Sequence, residues 1–233
     1  TLSGVAVTAG QVVSVADLTA GNLVFTPAAN ANGTGYASLT FSVRDSNNAY
    51  DATPNTLTVD VTAANDAPTD LSLSANTVAE NAANGTVIGT VTGTDPDSGD
   101  TKTYSFTDSA GGRFALDSAT GVMTVANGSL LNYEAAPSHS VTVRVTDSGG
   151  LTYDETFTIN LTNVNEAPTG ADATVTLTED TAQALTAATF GFSDVDAGDS
   201  LSAVRLDSLP SAGSLTLSGV AVTAGQVVSV ADL

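Results

Sequence analysis

The chain has 233 residues, with 25 Asp and Glu against 5 Lys and Arg, for a formal net charge of −20. That charge excludes nucleic acid and an anionic membrane face as partners, because both require a basic footprint. With no cysteine and a single histidine, His139, disulfides, thiolate sites and multi-histidine metal centres are excluded, and no apolar run reaches the ~18 residues of an inserted membrane span. The acids comprise 20 Asp and only 5 Glu. Asp favours turns and oxygen-rich loops where Glu favours helices, so the composition points to hard cations held in loops. A hydrophobic content of 42% is enough for packed cores, so the acidity does not imply disorder.

Residues 1–18, TLSGVAVTAGQVVSVADL, recur without change as residues 216–233. The chain therefore reads as a window on a tandem array whose period, from position 1 to position 216, is 215 residues. Leu39, Phe41 and Val43 then alternate with Thr40 and Ser42, and Leu57, Val59 and Val61 repeat the pattern. Asn65-Asp66-Ala67-Pro68-Thr69 punctuates the chain, and Asn165-Glu166-Ala167-Pro168-Thr169 does so again 100 residues later. Between the two marks, Val141, Val143 and Val145 alternate with Thr142 and Arg144, and Phe157, Ile159 and Leu161 close the unit. Turn signals at Asn84-Gly85, Asn127-Gly128 and Ser148-Gly149-Gly150 separate such runs. Period-two alternation with Thr on the outer face predicts an all-β protein built as an antiparallel Greek-key β-sandwich of about seven strands.

The punctuation divides the chain into three. Residues 66–165 form one complete domain; residues 1–65 are the C-terminal part of another repeat, and residues 166–233 the N-terminal part of the next. An odd number of strands puts the two ends of a sandwich at opposite poles, so serial domains run head to tail. The two flanking parts then start roughly 20–30 Å apart. They are expected not to complete each other within one chain, but to stay partly open or to pair with a neighbouring chain.

The sharpest local motif is Asp95-Pro96-Asp97-Ser98-Gly99-Asp100. Like charges ~4 Å apart repel by about 1 kcal/mol in water and about 4 kcal/mol near a protein surface. Such a turn either splays into solvent or takes a cation, and calcium takes oxygen ligands in a flexible shell. Asp194-Val195-Asp196-Ala197-Gly198-Asp199 has the same form at a matching distance after its punctuation mark. The EF-hand spacing does not fit, because its closing Glu is absent. Other acids stand at element ends: Glu80 after Val78-Ala79, Glu134 in the loop before Val141, and Asp147 after the Val-Arg-Val-Thr run.

Several motifs together carry a resemblance. They are Val-Ala-Glu-Asn at 78–81, Thr-Asp-Pro-Asp at 94–97, Phe-Ala-Leu-Asp with Thr-Gly at 114–121, Asn-Tyr-Glu at 132–134, Arg-Val-Thr-Asp at 144–147 and Asn-Val-Asn-Glu-Ala-Pro at 163–168. In this set, residues 66–165 resemble a bacterial cadherin-like domain of giant tandem-repeat surface adhesins, and the flanks resemble related repeats of the same adhesins. The resemblance implies a cadherin/Ig-like sandwich and Ca2+ bound at the joints between successive domains. Carried over by position, Glu80, Glu134, Asn163, Asn165 and Glu166 would meet Asp194 and Asp196 at one joint. At the other, Asn65 and Asp66 would meet Asp95, Asp97 and Asp147, with Asp100 closing the turn.

The expected function is a calcium-stiffened extender of a cell-surface or secreted adhesin of the kind that builds biofilms. Its partners would be the neighbouring domains of the same array. An alternative is a recognition module for like domains, glycans or a surface, since rows of outward Thr offer a flat face. Aromatic content of 5% without Trp speaks against a sugar-stacking platform. An enzyme is not expected, because the acids cluster at domain ends rather than across a cleft, and His139 reads as an exposed polar residue.

Overall fold

The computed structural model describes residues 1–233. Its architecture is almost wholly β, and no helix is long and apolar enough to cross a membrane. Residues 1–65 begin with a short helix, α1 (Val15–Thr19), whose N-cap Ser14 accepts the Asp17 N–H. β1 (Gly33–Phe41) and β2 (Asn55–Val61) then pair antiparallel. β1 takes in Leu39 and Phe41 but stops short of Val43; beyond it the return loop closes through an Arg44–Tyr50 bridge. The apolar face of this hairpin is open: Leu39 is 47% exposed, Phe41 41% and Leu57 50%. No residue of 1–65 is buried.

The next eight strands build one sandwich. They are β3 (Asp70–Leu73), β4 (Thr77–Ala79), β5 (Val87–Thr94), β6 (Thr103–Asp108), β7 (Phe114–Leu116), β8 (Val122–Val125), β9 (Ser138–Thr146) and β10 (Thr152–Thr162). One sheet has the order β3-β5-β8-β7 and the other β4-β10-β9-β6. β3 and β4 are two halves of a single first strand that changes sheets, so the count agrees with the seven expected. The alternation seen in the sequence becomes burial: Val141, Val143, Val145 and Ile159 lie at 0% exposure. They meet Met123, Val125, Val91 and Phe114 from the facing sheet. Gly121, at φ +70°, makes the turn into β8, and a Cβ there would stand 2.2 Å from the Val91 carbonyl oxygen.

β9 and β10 set the poles. Thr146 faces Thr152 at one end of the pair, and Ser138 faces Asn160 at the other. Nine residues of β9 separate the ends by about 30 Å at ~3.3 Å per residue. We call the Thr146 end the lower pole and the Asn160 end the upper pole. Residue 65 enters beside the lower pole and residue 163 leaves from the upper one. His139 is half-buried rather than exposed: it packs its ring 6.2 Å from Phe114, and burial, with Arg113 nearby, pushes its pKa down.

After residue 166 the chain forms β11 (Ala203–Leu206), β12 (Thr216–Leu217), β13 (Val220–Ala221) and β14 (Gln226–Ser229). β11 pairs with β14, and β12 with β13. Only Asp196, Val222 and Val228 are buried in this part. Both flanks thus have strands but little core.

Candidate metal centres

At the lower pole the linker is fastened to the sandwich by two hydrogen bonds. Asn65 Nδ2 donates to Asp147 Oδ2 at 2.8 Å, and the Asp66 N–H donates to Asp97 Oδ2 at 2.7 Å. Asp147, at 6% exposure, is held by the end of β9 and accepts the Leu151 N–H on its other oxygen at 2.7 Å. Asn65 can lie there because residue 149 is Gly: a Cβ at that position would stand 2.4 Å from the Asn65 amide carbon. The Asp95–Asp100 turn folds on itself, with the Asp97 N–H donating to Asp95 Oδ1 at 2.8 Å. Asp100 Oδ2 accepts the Ser148 N–H at 3.1 Å, and the Ser148 interaction holds the Asp100 pKa below the ordinary carboxylate range. Oxygens of Asp95, Asp100 and Asp147 come within 4.8 Å of one another. Asp97 and Asp66 stand outside this trio; Asp97 is occupied with the linker, and Asp66 contributes its backbone N–H.

At the upper pole, β4 runs parallel to the end of β10, which brings Glu80 beside the departing linker. Glu80 is 2% exposed. Its Oε2 accepts the Tyr133 N–H at 2.7 Å, and its Oε1 accepts the Val164 N–H at 2.9 Å. Glu80, Glu134 and Glu166 place oxygens within 4.8 Å of one another, from three separate parts of the chain. Glu166 is half-buried, and its pKa is pushed up by desolvation first, then by the negative charges of Glu80, Asp196 and Glu134. Asn81 offsets this in part by donating to Glu166 Oε1 at 3.1 Å.

The turn beyond the upper joint repeats the lower one. The Glu166 N–H donates to Asp196 Oδ2 at 2.8 Å, as Asp66 does to Asp97, and the Asp196 N–H donates to Asp194 Oδ1 at 3.0 Å. Asn163 Nδ2 donates to Asp196 Oδ1 at 2.8 Å. Asp194, Asp196 and Asp199 form a third trio within 4.8 Å. Asn165 donates to the Glu166 carbonyl at 2.7 Å, whereas Asn65 donates to Asp147. Asp199 was not among the ligands expected from the sequence, although its place mirrors that of Asp100.

Three carboxylate oxygens in these clusters are buried without any hydrogen-bond partner: Asp95 Oδ2, Glu134 Oε2 and Glu166 Oε2. An unpaired buried charge is expensive, and each of these faces further anions. Hard oxygen donors gathered in this way fit a divalent cation of the calcium or magnesium type.

Residues 75–162 match the family model for the cadherin domain, a stretch that runs from just before β4 to the end of β10. Over 94 residues the chain is 36% identical to cadherin-related family member 2 of Homo sapiens, a match that covers 39% of this chain and 7% of that protein. The chain thus spans under a tenth of the length of that relative. Among solved structures, chicken VE-cadherin EC1-2 is 29% identical with a TM-score of 0.39, over 54% of this chain and 66% of that one. The human desmocollin-1 ectodomain is 24% identical, also with a TM-score of 0.39, over 58% of this chain and 28% of that one.

Proposed function

We propose that this chain is a calcium-binding structural segment of a bacterial cell-surface or secreted adhesin, and that ions shared at the joints between domains stiffen it into a rod. In this reading residues 66–165 are the complete domain, and 1–65 and 166–233 are parts of its neighbours. Asn65, Asp66, Asp95, Asp97, Asp100 and Asp147 serve the lower joint. Glu80, Glu134, Asn163, Asn165, Glu166, Asp194, Asp196 and Asp199 serve the upper one. A bound divalent ion supplies positive charge that cancels the repulsion within each trio.

The chain's own residues supply the rest. Asn65 and the Asp66 N–H tie one linker to the lower pole, and Asn163 and the Glu166 N–H tie the other to the next turn. The two backbone N–H groups on Glu80 fix its carboxylate before any ion arrives. The observation that carries the reading is the set of three buried, unpartnered carboxylate oxygens, each in an acidic cluster beside a linker. Extracellular modules bind calcium with dissociation constants of roughly 0.1–1 mM, which suits a protein working outside the cell. The acids gather at the ends of the sandwich, which favours a structural role over a catalytic one. Isothermal calorimetry with calcium, paired with small-angle scattering with and without EDTA, tests the proposal. Heat on titration and a longer, stiffer particle in calcium are expected; no heat and an unchanged length would overturn it.

A further inference from the structure

Asparagine is followed by glycine at Asn32-Gly33, Asn84-Gly85 and Asn127-Gly128. This pair has a chemistry of its own: with no side chain on the glycine to obstruct it, the glycine nitrogen can reach the asparagine Cγ and displace ammonia. The fold treats the three pairs differently. Asn84 Oδ1 accepts the Gly128 N–H at 2.9 Å, and the Gly85 N–H donates to the Val125 carbonyl at 2.7 Å. The first of these bonds ties up the side chain of one pair and the nitrogen of another. Asn127 Oδ1 in turn accepts the Ser129 N–H at 3.2 Å and the Ser129 hydroxyl at 2.7 Å. Gly128 is also buried, and a Cβ there would stand 1.9 Å from the Ala82 carbonyl oxygen.

Asn32 has none of these restraints. It is exposed, just ahead of β1, and its side chain makes no hydrogen bond. The start of β1 is irregular: its register slips between Gly33 and Ala37, and the Gly35 N–H donates to Asp60 Oδ1 at 2.6 Å. Open space surrounds Gly33, where even a Cβ would meet nothing within 4 Å. Asn32 also lines a polar cleft of about 510 Å3 at the lower pole, together with Asn65, Asp97, Asp100 and Ser148. The Asn-Gly pair that the fold leaves unrestrained therefore lies at the acidic turn.

We propose that Asn32 is a self-modifying site whose product adds a ligand to the lower joint. The Gly33 nitrogen bonds to Asn32 Cγ, the Cγ–Nδ2 bond breaks, and the Gly33 N–H proton departs with the amide as ammonia. Water then opens the resulting cyclic imide at either carbonyl, giving aspartate or its chain-lengthened isomer, isoaspartate. Both products carry a carboxylate where the chain had a neutral amide, and no enzyme, oxidant or reductant is required. The new carboxylate stands in the cleft that Asp97 and Asp100 line. It adds repulsion in the absence of a cation and an oxygen donor when a divalent ion is bound, a consequence that rests on the cation reading of this joint. The joint thereby tightens on calcium as the molecule ages.

Mass-spectrometric peptide mapping of the 233-residue chain, aged in mildly alkaline buffer with and without urea, tests the chemistry. In the folded chain Asn32 converts about tenfold or more faster than Asn84 and Asn127, which react only through local opening. In urea the three rates converge, because only the fold separates them. Equal rates in the folded chain, or Asn84 or Asn127 converting first, would overturn the proposal. Calorimetry with calcium tests the consequence. Asn32→Asp, which installs one of the two products, lowers the dissociation constant at the lower joint by about threefold or more, and Asn84→Asp leaves it unchanged. If Asn32→Asp binds as the unmodified chain does, the added carboxylate is no ligand and that part of the proposal falls. Absence of calcium heat from both would overturn the cation reading of the joint instead, and the mass spectra would still decide the chemistry at Asn32.

Discussion

β9 and β1 are written in the same alternating pattern and end in opposite states. Val141, Val143 and Val145 are fully enclosed, whereas Leu39 and Phe41 stand nearly half open. The difference lies in what faces them. β9 looks onto β5, β7 and β8 of the opposing sheet, while β1 and β2 form a sheet of two strands that contributes no residue to a buried core. Alternation specifies a strand and its apolar side; burial also requires a second layer. The chain therefore has one enclosed core, and two flanks whose apolar side chains stay largely exposed.

The contrast breaks most easily by truncating apolar side chains. Ile159→Ala is expected to cost about 2–5 kcal/mol in urea unfolding, and Leu57→Ala about 0.5 kcal/mol or less. Equal losses would mean that the flank carries a core of its own. Calcium sharpens the comparison next. At a tenfold excess over the dissociation constant, the intact chain gains about 1.4 kcal/mol per site. Glu134→Gln removes a half-buried carboxylate whose Oε2 has no partner beside Glu80 and Glu166, so it raises stability in EDTA and loses the calcium gain at the upper joint. Leu39→Asp in the flank leaves that gain intact, as urea midpoints with and without calcium would show.

Acidity supplies a smaller effect with a definite sign. Glu166 has a raised pKa in the folded chain, so its ionised form is the one the fold disfavours. In EDTA, stability falls as pH rises from the ordinary carboxylate range through the raised value, and the penalty vanishes below that range. Glu166→Gln flattens this slope; thermal melts across pH 3–7 (about the span of interest for carboxylates) would reveal a slope that persists if the assignment is wrong. The smallest effect belongs to the outer face. Arg144 forks onto Asp154 across β9 and β10 at 2.7 and 2.8 Å, but both side chains are well exposed. Arg144→Ala should cost roughly 0.2–1 kcal/mol and shrink with added salt.

The legible and illegible parts of the molecule divide along the same line. Val141–Val145 and Phe157–Leu161 announce their strands because a two-residue period is local information. The Asp95–Asp100 turn is visible for the same reason: its carboxylates lie within one loop, and Asp194–Asp199 repeats it. The trio of Glu80, Glu134 and Glu166 is different. These residues are far apart in sequence, and only the parallel pairing of β4 with β10 brings Glu80 to the linker. Their grouping came from family resemblance, not from spacing. Nor does any pattern announce that Glu80 is almost completely enclosed, since the N–H groups that hold it belong to Tyr133 and Val164. His139 was misplaced because a lone polar residue at a strand start gives no sign of the Phe114 ring beside it.

The split first strand carries a mechanical consequence. β4 lies parallel to the end of β10, with Thr77, Val78 and Ala79 opposite Asn160, Leu161 and Thr162. The chain reaches β4 from the lower pole and leaves β10 at the upper one. Tension drawn through the two linkers therefore slides these strands lengthwise past each other. The rungs between them bear the load together and must yield as a group, whereas an antiparallel pair pulled from one end would unzip one bond at a time.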